Sequence, residues 1–158
     1  MPRFIFLLRA NKDAESGVLP QPPVFGLMHA YNESLKSAGI LLSAEGLFES
    51  SKGARLSFPK NEKSPDEPTP KEDIKVTNGP FGYDGENRLV CGYWLIQLKE
   101  GEGLKEAVEW AKKAPLWDTE AEVRQVHELE DLEGVMPEDV RKEEGKWREE
   151  LGEKQWVK

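Results

Sequence analysis

Residues 3–9, RFIFLLR, place five consecutive apolar side chains between two arginines. The run is shorter than the roughly 7–15 residues of a signal-peptide core and far below the roughly 18 of a membrane span. It is apolar at every position rather than at every second one, which reads as a β-strand covered on both faces. That strand constrains the rest of the chain, which must build a sheet around it and lay something apolar on each side.

Two segments supply helices. From Val24 to Ala38 the apolar positions Val24, Met28, Tyr31, Leu35 and Ala38 recur at helical spacing, and Gly39 stands where the helix would stop. Residues 104–114, LKEAVEWAKKA, put Leu104, Ala107, Val108 and Ala111 on one face and end before Pro115. Further strands are expected at 40–48, ILLSAEGLF, and at 54–58, ARLSF, which would return as its antiparallel partner after a Ser/Lys/Gly turn. A short strand is expected at DIKVT, 73–77, and longer ones at GYWLIQL, 92–98, and AEVRQVHEL, 121–129. Residues 60–73, with Pro65, Pro68 and Pro70 among charges, read as a solvated loop.

The resulting order is β-α-β-β-α-β, an α+β, ferredoxin-like arrangement in which two helices cover one face of an antiparallel sheet. The other face then needs a ligand, the C-terminal helix or the sheet of a second subunit. One domain, residues 1–132, is expected, followed by a helical extension over 133–158. In that extension Pro137 opens a helix, with Glu138 and Asp139 beside it to offset the helix dipole. Met136 occupies the capping place, so docking of Val140, Trp147 and Leu151 on the body or on another subunit is expected to hold the helix.

Composition narrows the partners. A net charge of −8 and a pI near 5.0 argue against nucleic acid or an anionic membrane, since phosphate binding needs a basic face. Charged residues make up 33% of the chain, yet five Trp, six Phe and three Tyr are more aromatic surface than a disordered chain carries. Cys91 is the single cysteine and His29 and His127 the two histidines, which leaves no internal disulfide and no Cys/His metal site. No glycine loop for phosphate, serine-nucleophile elbow or carboxylate cluster is recognisable, so a cofactor-free, metal-free site in a soluble cytoplasmic protein is the expectation.

KVTNGPFGYDGENRL, 75–89, sets Phe81 between two turn signals, Asn78-Gly79-Pro80 and Asp84-Gly85, where nothing local can bury it. Its ring requires a distant partner: a core, a pocket or a second subunit.

The runs AYNESLKSAGILLSAEGLFESSKGARLSF and NGPF, then CGYWLIQLKEGEGLKEAVEWAKKAP and EVRQVHELED, occur in an order that resembles the YCII-related proteins, in the branch named for its Asp-Gly-Pro-Phe motif. The resemblance covers roughly residues 3–130. It implies a dimeric α+β barrel, in which two ferredoxin-like sheets pack face to face around a cavity, with Phe81 at or near the dimer seam or the cavity. Three departures stand out. Asn78 replaces the family's leading Asp, GYDGENRL replaces the acidic-Thr-Lys segment, and the 60–73 loop is longer than the family's hairpin.

Glu45, late in a strand among apolar neighbours, is the leading candidate for general acid or base, because desolvation disfavours a carboxylate's charged form. The alternative is a structural pairing with Arg55 across the hairpin. Arg9 and Arg55 are candidates to hold an anionic substrate group by charge-assisted hydrogen bonds, against the plainer reading of ion pairs with the many acidic residues. The resemblance adds His29, since some YCII-related proteins are thought to use a first-helix histidine together with an aspartate, although His29 sits about 100° off the apolar stripe and a surface role is the simpler one. His127 is discounted in the same way. Tyr93 and Trp94 must point to opposite faces of their strand. Trp94 is assigned to the cavity as a substrate-binding residue beside Phe81, while Trp110 and Trp147 are assigned to packing.

These readings converge on a small cofactor-independent lyase or isomerase that performs a proton shift, dehydration or dehydrohalogenation on a small organic molecule in a homodimer's cavity. The class agrees with that of a YCII-related dehydrochlorinase. The alternative is a non-catalytic ligand-binding or regulatory dimer, since relatives in this branch are found joined to or beside transcription sigma factors. A third possibility is that the aromatics serve dimer stability alone.

Overall fold

The computed structural model describes residues 1–62, 64, 66–82 and 89–155. Pro65 and the Asp84-Gly85 turn lie outside the described residues. Strand β1 (Arg3–Arg9) is central, antiparallel to β5 (Val90–Gln97) on one side and to β6 (Ala121–Val126) on the other. Strand β2 (Leu41–Gly46) pairs antiparallel with β5 and completes a four-stranded sheet of order β2-β5-β1-β6. This α+β architecture, a mostly antiparallel sheet with a C-terminal helix, is compatible with a ferredoxin-like arrangement.

The apolar run sorts its side chains by strand parity. Phe4 and Phe6 lie opposite Ile96 and Trp94 and are buried, whereas Ile5 and Leu7 lie opposite Leu95 and Tyr93 and are half-buried. On the buried side the chain lays helices α2 (Pro22–Ser37) and α3 (Leu104–Ala111). Tyr31 and Leu35 of α2 and Ala107 of α3 close the core with Ile40 and Leu98. Helix α2 ends as its sequence dictates. Gly39 takes φ +72, the Gly39 amide donates to the Lys36 carbonyl at 2.8 Å, and the Ile40 amide donates to the Leu35 carbonyl at 3.1 Å. Leu35 and Ile40, both buried, supply the apolar contact of this Schellman cap.

Three expectations are corrected. Residues 54–58 do not pair with β2. Strand β3 (Ala54–Ser57) pairs with β4 (Lys75–Asn78) in a separate two-stranded ribbon, and the sheet partner of β2 is β5. Helix α2 opens on Pro22 rather than at the expected Val24, since proline's fixed φ favours a first turn, and it is preceded by a helical turn, α1 (Lys12–Glu15), capped by the Asn11 side chain. Third, α4 (Glu138–Gln155) leaves its apolar stripe largely uncovered within one subunit, with Val140, Trp147 and Leu151 42%, 50% and 58% exposed, so of the two expected docks the body is set aside and a second subunit is left. Its ties to the body include an ionic clamp, beside the approach of Gly145 to Leu129. Glu128 receives Arg3 in a two-pronged pair at 2.8 and 3.0 Å and Arg148 of α4 at 3.4 Å, so one carboxylate ties the first strand to the last helix.

Candidate functional site

The sheet face away from α2 and α3 carries an apolar centre with a polar rim. Ile5, Leu7, Tyr93 and Leu95 occupy the middle strands, Ser43 and Glu45 the β2 side, and Glu122 and Arg124 the β6 side. The four central residues are only half-buried. Glu45 is exposed and lies directly across the ladder from Tyr93, whose hydroxyl is 3.2 Å from that of Ser43. The pairing of Glu45 with Arg55 is not formed, since the Arg55 guanidinium stacks 4.3 Å from the centroid of the Phe81 ring.

Beside this face, where β2 ends and β5 begins, lies a cleft of about 310 Å³ lined by Glu15, Phe48, Ser50, Lys52, Phe81 and Cys91 among others. Phe81 is thus half-buried in a cleft wall, with Arg55 laid over it. Its backbone is tied into a short hydrogen-bond network. The Phe81 amide donates to Ser50 Oγ at 2.9 Å, and the Ser50 hydroxyl donates in turn to the Glu15 carboxylate. The Ser50 amide also donates to both Glu15 oxygens at 3.3 Å. Glu15 of α1 therefore joins the turn before β3 to the Asn-Gly-Pro turn, and this short network serves as a latch that positions the ring. Burial pushes the Cys91 thiol above its usual range, against a smaller opposing effect of a backbone hydrogen bond, so the thiol is not a ready nucleophile.

The proposed site residues separate into groups. Arg55 and Phe81 come together, with Phe81 lining the cleft and Arg55 stacked on its ring, and Glu45 stands on the open face at the end of β2. Arg9 reaches the other edge, where it pairs with Glu122 and lines a depression with Glu120 and Ala121, so Arg9 and Arg55 do not converge. His29 is exposed on α2, the helix that covers the opposite face, and so does not meet Glu45 within one subunit. Trp94 requires correction. It is 5% exposed under the helices, edge-on to Tyr31 at 5.1 Å, with its indole N–H donating to Asn32 Oδ1 at 2.7 Å. Its face is the helix face because it shares strand parity with Ile96 and pairs across to Phe6, and Tyr93 takes the open side. Trp110 packs against the core, as expected.

Sequence reasoning missed the Glu15–Ser50 latch and the Ser43–Tyr93 pair. The latch joins residues 35 apart with no local signal. The hydroxyl pair was within reach of parity reasoning once Trp94 was placed on the core side. Among the described residues no group of three His, Cys, Asp or Glu is placed to hold a metal, and no helix is long and apolar enough to cross a membrane. Compared with known proteins, the chain matches no protein-family model and no curated sequence, so its resemblance to YCII-related proteins rests on the motifs alone.

Proposed function

We propose that the chain is a ferredoxin-like subunit of a YCII-related dimeric α+β barrel, and that it works as a small cofactor-independent lyase or isomerase. Its substrate is a small organic molecule held between the open sheet face and that of a second copy. One observation carries this reading: an apolar centre of Ile5, Leu7, Tyr93 and Leu95, half-covered, bordered by polar and acid-base side chains. Such a face, closed by its twin, encloses an apolar chamber with Glu45 at the rim as proton donor and acceptor. Arg55 and Phe81 lie at one end of the chamber as substrate contacts, and Arg9 at the other.

Light scattering tests the chamber. The expected mass is twice 17.9 kDa, falling to the monomer value in Leu7→Glu, which places a charge in the centre of the seam. A wild-type chain that stays monomeric at micromolar concentration overturns the reading. A second reading, a non-catalytic ligand-binding or regulatory dimer, is favoured by the exposed stripe of α4, Val140, Trp147 and Leu151, which has the form of a docking helix. It predicts a dimer in which Glu45→Gln changes no turnover.

A further inference from the structure

We propose that Tyr93 is the oxyanion donor of this site, that Ser43 orients its hydroxyl, and that the substrate class is a carbonyl compound bearing an acidic C–H bond next to the carbonyl. The inference rests on the chamber proposed above and deepens it. Three polar groups meet on an otherwise apolar patch. Glu45 and Tyr93 are direct cross-strand partners, which brings their Cβ atoms to within about 4.5–5.5 Å on one face. Ser43, two residues from Glu45 on the same strand, places its hydroxyl 3.2 Å from the Tyr93 phenol oxygen. On the other side of Tyr93 stands Leu7, its partner across β1, with Ile5 and Leu95 beyond.

The phenol therefore has a polar flank toward β2 and an apolar flank toward β1. When Ser43 donates to the Tyr93 oxygen, the Tyr93 proton is released to point off the sheet at a ligand. A carbonyl oxygen seated there leaves the substrate's apolar body over Leu7 and Leu95 and its α-carbon on the side of Glu45. The Glu45 carboxylate takes the C–H proton, the C–H electron pair becomes the C=C bond of an enolate, and the carbonyl π pair moves to the oxygen, where the Tyr93 O–H stabilises it. Collapse of the enolate then expels a β-substituent with its bonding pair, which is an elimination, or, where the substrate carries a β,γ C=C bond, the dienolate takes the proton back from Glu45 at its γ-carbon as the carbonyl re-forms and the double bond moves into conjugation, which is an isomerisation. Neither outcome needs an oxidant, reductant or cofactor.

The reaction's first step can be read without the natural substrate. The full chain is incubated in D2O with levulinate and with 4-phenyl-2-butanone, one anionic and one apolar ketone, and loss of the α-proton signals is followed by NMR. The wild-type chain is expected to accelerate exchange of at least one probe well above background, and Glu45→Gln to return it to background. Tyr93→Phe, which keeps the ring, is expected to slow exchange about 10²- to 10³-fold, as removal of one oxyanion donor does. Ser43→Ala is expected to slow it about tenfold, as loss of one hydrogen bond does, and Ser43→Thr to restore it, which a merely structural role for Ser43 does not predict. Exchange at the wild-type rate in Tyr93→Phe overturns the assignment of Tyr93. A wild-type dimer that exchanges neither ketone sinks this inference and spares the chamber, whereas a monomer in solution sinks both.

Discussion

Gly79 is held by crowding and not by conformation. Its φ is not in the left-handed region, so what calls for a glycine at this turn is the close approach of another stretch of backbone. A Cβ built on Gly79 would lie 1.7 Å from the Ser50 carbonyl oxygen, which is backbone and cannot step aside like a side-chain tip. The Gly79 amide also donates to the Gly53 carbonyl at 2.9 Å, locking the ribbon against the turn before it. Gly79→Ala should therefore push Ser50 away from Glu15 and Phe81, costing about 1–3 kcal/mol as overpacking does. Chemical denaturation measures the loss, and Gly82→Ala is not the right control because Gly82 has φ +75. Gly53→Ala, whose Cβ would meet its nearest atom at 3.6 Å, is the better one and should cost less.

At the scale of elements, the tail shows how charge can do what an apolar stripe was expected to do. Arg3 and Glu128 are each about one-fifth exposed, 21% and 22%, so their two-pronged pair is partly shielded from solvent, and Arg148 joins it at 3.4 Å. Glu128→Gln leaves two arginines with no carboxylate and should release α4. Loss of about 1–2 kcal/mol of charge-assisted bonding makes cleavage of the tail by a protease roughly five- to thirtyfold faster. Trp147→Ala, which removes a half-exposed ring, should change that rate far less, and the opposite ranking would show that packing holds the helix. Elements whose signals are local were legible in the sequence: β1 from its unbroken apolar run, α2 from its spacing and its Gly39 stop, and α3 from the spacing of Leu104, Ala107, Val108 and Ala111, although it ends at Ala111, short of the expected 114. Pairing was not. ARLS and KVTN expose all four of their residues in the ribbon, so no apolar face dictated their register, and β3 found β4 rather than β2. The parity of β5 was equally hidden, because an apolar residue stands on both sides at Tyr93-Trp94. Phe81 was legible as a residue in need of a distant partner, whereas its latch depended on contacts 31 and 35 residues apart.

The whole molecule meets at Tyr31. Its ring packs edge-on against Trp94 of β5, and its hydroxyl donates to the Trp110 carbonyl of α3 at 3.1 Å, so one side chain of α2 joins the sheet to the other helix. Burial pushes its phenol up from 10.0 to about 12, because the anion would lose its water in the core. The folded-state value is raised, so the stability this group contributes is complete below pH 10 and is lost as the pH climbs from there toward about 12. By pH 12 the loss is roughly 2–3 kcal/mol, a large part of a small domain's stability. Tyr31→Phe keeps the ring and removes the ionisation. At neutral pH it should cost about 1 kcal/mol for the lost hydrogen bond, yet its stability should fall less steeply between pH 10 and 11.5 than that of the wild-type chain. Urea unfolding at a series of pH values measures both slopes. Parallel slopes would mean that the phenol ionises without opening the core, and the packing of α2 on β5 would then be looser than the Tyr31–Trp94 contact implies.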